Sequence, residues 1–115
     1  MKPINPVNRF VVSGASKRGW TTWLTGAVDD RVIAIAPIVI DLLNMSESMP
    51  HHYAAYGFWS IALHDYVSHG LIDWFEKPEY AELVKLVDPY SYRDRFADKP
   101  KYIINSAGEI GRAHV

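Results

Sequence analysis

The sequence contains no cysteine, which excludes thiol nucleophiles, disulfides and cysteine-bound zinc while leaving the compartment open. It also lacks an excess of either charge. Twelve Lys and Arg stand against 13 Asp and Glu, for a formal net charge of -1, and no basic stripe runs through it. Nucleic acid is therefore not an expected partner. No apolar run is long enough to span a bilayer, and no signal-peptide pattern follows Met1. Internal repeats and low-complexity segments are missing too. There is no H-E-x-x-H; His51 and His52 are adjacent and would diverge on a helix, and His64 and His69 have no convincing carboxylate partner at ligand spacing. Neither a metal nor a cofactor is expected. At 115 residues, 49% of them apolar and 13% aromatic, the chain is one globular domain or a piece of one.

What is present is concentrated in RFVVSGASKRGWTT, residues 9–22. Phe10, Val11 and Val12 read as a strand, Ser13 to Ser16 as a tight turn, and the residues beyond as the opening of a helix. Ser16 falls where strand becomes helix, a place from which a hydroxyl projects above the carboxyl end of a sheet. A sharp turn carrying a strained residue needs small neighbours, and Gly14, Ala15 and Gly19 supply them. This is the pattern of a nucleophile elbow, the organising turn of α/β-hydrolases. It departs from G-x-S-x-G in that Arg18 takes the second place after Ser16, with the glycine one place later. The variant is tolerable if the Arg18 side chain points out of the turn. Lys17, opening the helix, would then offer its unpaired backbone N–H to an oxyanion.

Two other readings compete for the same residues. Ser13 and Ser16 could simply satisfy backbone groups in a strand-to-helix turn. Alternatively, GASKRGWT lies one residue from the phosphate-binding G-x-x-x-x-G-K-[ST]; that motif needs lysine directly after the second glycine, and Trp20 stands there instead.

Residues 1–8 carry two prolines and read as a connection into the sheet. A hydrolase normally places several strands ahead of its elbow, so the chain is expected to be a fragment or to start late in a longer gene. After the elbow, Trp20, Trp23, Leu24, Ala27 and Val28 form an apolar stripe at helical spacing, read as core in preference to a ligand platform, and Asp29-Asp30 ends the helix. VIAIAPIVI, residues 32–40, is a continuous apolar run suited to a parallel strand covered on both faces, with an irregularity expected near its end because of Pro37. Asp41 comes next, at the same sheet end as Ser16, where it could act as a catalytic carboxylate or cap the succeeding segment.

From Met45 to Val87 the chain is dense in aromatics, with Pro50 and Pro78 placed where first helical turns would begin. Tyr80, Leu83, Val84 and Val87 form a clean stripe for the last helix. A helical cap insertion over the sheet is expected here, its aromatics serving packing first and a substrate pocket second. Residues 88–100 are turn-rich. KYIINS, residues 101–106, reads as a third strand, followed by Glu109 at the place where an α/β-hydrolase carries the acid that orients its histidine.

The blocks VSGASKRGWTTWL, DDRVIAIAPIVIDLLNM, HHYAAYGFWSIALHDYV, VDPYSYRDR and KPKYIINSAG together resemble the PhoPQ-activated pathogenicity-related protein family, over about Arg9 to Gly108. The SKRG turn is also similar to that of glucuronoyl and acetyl-xylan esterases. The family resemblance implies an α/β-hydrolase-like fold, a secreted, periplasmic or envelope-associated location, and an aspartate at position 109. It stops at Glu109. The tail EIGRAHV can be encoded by a string that, after its first G, matches a widely used sequencing adapter, so residues 109–115 are expected to be non-native read-through. His114 is then not a catalytic base, and the native base is expected beyond the chain.

The expectation is an α/β protein, part of an α/β-hydrolase fold, with a parallel sheet and a helical cap at about 45–87. Its function is expected to be cleavage of an ester or related acyl bond in a small-molecule, carbohydrate-linked or peptide-linked substrate. Ser16 is the nucleophile, the Lys17 N–H an oxyanion donor, and position 109 the acid. The fragment alone is expected to be inactive. The alternative is a non-catalytic module that uses the scaffold and its aromatic cap to bind a partner.

Overall fold

The computed structural model describes residues 5–40 and 43–105. Strand β1 (Phe10–Ala15) and strand β2 (Val32–Ile38) pair in parallel, joined by helix α1 (Lys17–Val28). Parallel neighbours need a crossover of this length, and the helix covers one face of the pair. The partners run from Phe10 with Val32 to Ala15 with Ile38, with a register shift between Phe10 and Val11. In the pairing with β1 the irregularity thus lies at the start of β2, and the register is regular at Pro37, where the sequence predicts the break. β2 itself stops at Ile38, and Val39 leaves it with φ 45°.

β2 carries the core on the side that packs against α1; Ile33 is 39% exposed, so the covering on both faces expected from its apolar run is not complete among the described residues. Ile35 is 1% exposed and Val32 2%, packed with Trp23 and Ala27 of α1 and with Phe96. The Trp23 and Phe96 rings lie 5.2 Å apart at 50°. Burial of a side chain of the size of Ile35 is worth about 1.5–3 kcal/mol, so this contact set is a main anchor of α1 on the sheet. Val28, assigned to the same stripe by its spacing, is instead 64% exposed. It lies in the last turn of α1, just before the helix ends at Asp29.

Residues 100–104 lie along the other edge of β2. The Ile35 N–H donates to Pro100 O at 3.0 Å, Tyr102 N–H to Ile35 O at 2.9 Å, Ile104 N–H to Pro37 O at 3.2 Å, and Val39 N–H to Ile104 O at 2.7 Å. The third strand expected at 101–106 is reduced to two isolated parallel bridges, at Lys101 and Ile104. Pro37 explains the interruption. It faces this edge and has no N–H, so the rung between the two bridges cannot form. The described residues thus hold mixed helix and strand with a two-stranded parallel sheet.

The segment after β2 is helical, as expected: α2 (Met45–Tyr56), a 3-10 turn (Ile61–Leu63), α3 (His64–Ser68), a second 3-10 turn (Leu71–Trp74) and α4 (Pro78–Val87). Pro78 does open α4, but Pro50 lies well inside α2. The helix starts early because a distant carboxylate receives its first amides. Asp88, only 2% exposed, accepts from Asn44 N at 3.1 Å, Met45 N at 2.6 Å and Tyr90 N at 2.8 Å. These are N–H groups that a helix start would otherwise leave unpaired. Met45, Met49 and Leu63 form a second buried cluster, against which Trp20, Trp59, Tyr66, Phe75 and Val87 pack. Histidines are expected from the sequence at the surface or at helix ends; His52 is instead buried, stacked 5.6 Å from Trp59 at 14°.

Candidate active site

Ser16 lies between β1 and α1 with φ 51° and ψ -124°. That combination belongs to the first corner of a II′-type turn, where glycine is the usual occupant and a side chain is strained. The surrounding backbone holds it there. The Ser16 N–H donates to Ile38 O at 2.9 Å, and the Ser16 carbonyl accepts from Gly19 N at 2.8 Å and Trp20 N at 3.2 Å.

The two glycines are explained by close approach. A Cβ on Gly14 would stand 2.6 Å from Arg18 O and 2.8 Å from Arg18 C. A Cβ on Gly19 would collide with Ile40 Cγ2 and stand 3.0 Å from Ile38 O. The glycine displaced from the G-x-S-x-G spacing is therefore the one that lets α1 pass the end of β2. Arg18, in the place of the missing glycine, is exposed.

The two serines of the turn divide their roles. The Ser13 hydroxyl donates to Ala36 O across the sheet at 3.0 Å, a structural bond. Ser16, at the N-cap position of α1, makes no side-chain cap bond. Its hydroxyl is thus not consumed by the turn, as the purely structural reading required. The phosphate-loop reading fails on geometry: Gly14 is strand, Gly19 is helix, and no open loop lies between them. Trp20, in the lysine's place, donates Nε1–H to Val87 O at 2.7 Å.

Ser16 opens onto a cavity of about 540 Å³ whose wall includes Lys17, Trp20, Asp65, Tyr66 and His69. Lys17 is the first residue of α1, so its N–H is among those the helix leaves unpaired. No acidic side chain occupies the first turn of α1, and the positive end of its dipole is left uncompensated on that side. Ser16 and Lys17 thus line one cavity together. Asp41 and Glu109, and with them His114, lie outside the described residues. Among the described residues no cluster of three or more His, Asp or Glu side chains is arranged to hold a metal. No described helix is long and apolar enough to cross a membrane.

The sequence did not single out His69 and Asp65 for this site. Both line the Ser16 cavity, at and just after α3, with the His69 N–H donating to Asp65 O at 3.2 Å and His69 Nδ1 lying 3.4 Å from Ser68 Oγ. The only sequence signal for them was the density of histidine and aromatic residues between 45 and 87, which does not tell which of them faces Ser16.

The model of the family described as PhoPQ-activated pathogenicity-related protein matches residues 2–109. A relative, Autocrine proliferation repressor protein A of Dictyostelium discoideum, is 54% identical over 100 residues, which are 87% of this chain and 20% of that protein. The chain thus spans about a fifth of the length of that relative. No solved structure matches. With nearly its whole length matched by the family model, the chain belongs to the PhoPQ-activated pathogenicity-related protein family.

Proposed function

We propose that this chain carries the nucleophile half of a serine hydrolase of α/β-hydrolase architecture, acting on an ester or related acyl bond. The observation that supports the reading most is the Ser16 backbone at φ 51° and ψ -124°, held at the carboxyl end of a parallel sheet beside a substrate-sized cavity. Strain of this kind costs about 1–3 kcal/mol and persists only where its surroundings enforce it, which is common at reactive positions. Ser16 Oγ attacks the acyl carbon and the Lys17 N–H receives the developing oxyanion, an interaction worth about 3–4 kcal/mol where one such donor has been removed. The acid is at position 109, the histidine that takes the serine proton lies further along the whole protein, and the helical segment 45–87 caps the site. Leaving-group departure gives an acyl-serine, which water then hydrolyses.

The test is fluorophosphonate labelling of the full-length protein. Labelling that maps to Ser16 and vanishes in Ser16→Ala supports the reading; a full-length protein that folds and resists the reagent sinks it. The relative's name favours a second reading, in which the same scaffold binds a partner to repress proliferation and performs no turnover. Resistance to labelling would move that reading ahead.

A further inference from the structure

A second cavity, of about 230 Å³, lies behind the first. Four residues belong to both walls: Trp20, Leu63, Tyr66 and Leu71. The remainder of the inner wall comes chiefly from Met45 and Met49 of α2, Tyr80 and Val84 of α4, and Phe75, which follows the second 3-10 turn. Its surface is wholly apolar. The one indole N–H that could have made it polar is spent on Val87 O. The Tyr80 hydroxyl is buried without a hydrogen-bond partner among the described residues, and burial together with the Asp88 charge raises its pKa, so no phenolate forms there near neutral pH.

Polarity is thus divided between the two chambers. The outer one carries Ser16, Lys17, Asp65 and His69; the inner one carries nothing that can hold a charge or a water chain. An apolar chamber of about 150 Å³ is known to stay dry and to accept benzene, so one of about 230 Å³ takes about six carbons or more. Two methionines in its wall adapt to a flexible chain.

We propose that the inner cavity is the acyl pocket of the Ser16 site, selecting substrates whose acyl group is apolar and about six carbons long or longer. The acyl assignment rests on the hydrolase reading; the apolar pocket rests on the cavity alone. The carbonyl lies in the outer chamber beside Ser16, and the chain enters the inner one past the residues common to both walls.

Sodium acetate, butyrate, hexanoate and octanoate, titrated calorimetrically into the full-length Ser16→Ala protein, separate the two. Affinity is expected to rise about fourfold per methylene at least as far as hexanoate, following the gain for burying each CH₂. Val84→Phe, which fills the inner chamber, is expected to abolish the rise and leave acetate unchanged. Leu83→Trp, at a wall position 38% exposed, provides a second filling variant if the first does not fold. A flat series in the Ser16→Ala protein, or an unchanged rise in a folded filling variant, overturns the pocket. Fluorophosphonate labelling of wild-type Ser16 reads the other half independently. Labelling with a flat series removes the acyl pocket, whereas a steep series without labelling removes the hydrolase reading and leaves a fatty-acid site.

Discussion

The Ser16 N–H donates to the Ile38 carbonyl at 2.9 Å, so the turn that carries the Ser16 hydroxyl is fixed to the last residue of the neighbouring strand. Through that bond the end of β2 governs the position of Ser16. A residue at φ 51° can then be held without help from its own side chain, which makes no cap bond to α1.

The strain at Ser16 has a measurable sign. Glycine occupies positive φ freely, whereas alanine keeps the penalty of a Cβ. Ser16→Gly is expected to stabilise the protein by ~1 kcal/mol relative to Ser16→Ala, with both variants losing fluorophosphonate labelling. Urea unfolding of the pair measures the difference. Equal midpoints would show that the turn is not strained in solution.

Gly14 and Gly19 are expected to respond differently to alanine. At Gly14 the obstructing atoms are the Arg18 backbone, which can yield only if α1 shifts. A cost of about 2–3 kcal/mol is expected, at the upper end for overpacking. At Gly19 much of the obstruction is the Ile40 side chain. Combining Gly19→Ala with Ile40→Ala should therefore recover part of the loss, with a coupling energy of about 0.5 kcal/mol or more. Strict additivity in that double-mutant cycle would contradict the packing described.

Asp88 is expected to be among the most sensitive positions outside the site. Its carboxylate satisfies three backbone amides from two separate segments. Asp88→Asn keeps one acceptor oxygen and should cost about 1.5–3 kcal/mol; Asp88→Ala, which leaves buried N–H groups unpaired, should cost more. Because two of the amides belong to Asn44 and Met45, amide exchange should quicken first at the start of α2. Uniform quickening across the protein would argue against this local role.

The turn at Ser16 was legible because its chemistry is local: small residues, a serine and a change from strand to helix periodicity lie within a few positions. β2 was legible for the same reason, as an unbroken apolar run. The start of α2 was not, since it depends on Asp88, which lies more than forty positions along the chain. Neither was the weakness of the 101–104 pairing, because the missing donor belongs to Pro37 on the partner strand. His69 and Asp65 had no motif to mark them. Only the folding back of α3 and the turns around it places them opposite Ser16, and no local pattern encodes that approach.

Asp29 gives the chain a distinct acid response. It ends α1, and its carboxylate accepts from Arg31 N at 3.0 Å, Nε at 2.9 Å and Nη2 at 2.7 Å. The Arg31 side-chain bonds, and after them the Arg31 N–H, lower its pKa from 3.8 to about 2. A carboxyl depressed in the folded state favours folding when it is ionised in both states. The contribution is therefore complete above pH 3.8 and is lost as the pH falls toward 2. Since the pair is largely solvated, salt should weaken it. Asp29→Asn is expected to lose less stability than wild type between pH 5 and pH 2.5, and to match its own value at high salt more closely. Urea midpoints at the two pH values, with and without added sodium chloride, measure both effects. If wild type and Asp29→Asn fall in parallel, the acid sensitivity belongs to other carboxylates and the Asp29–Arg31 bridge does not contribute to it.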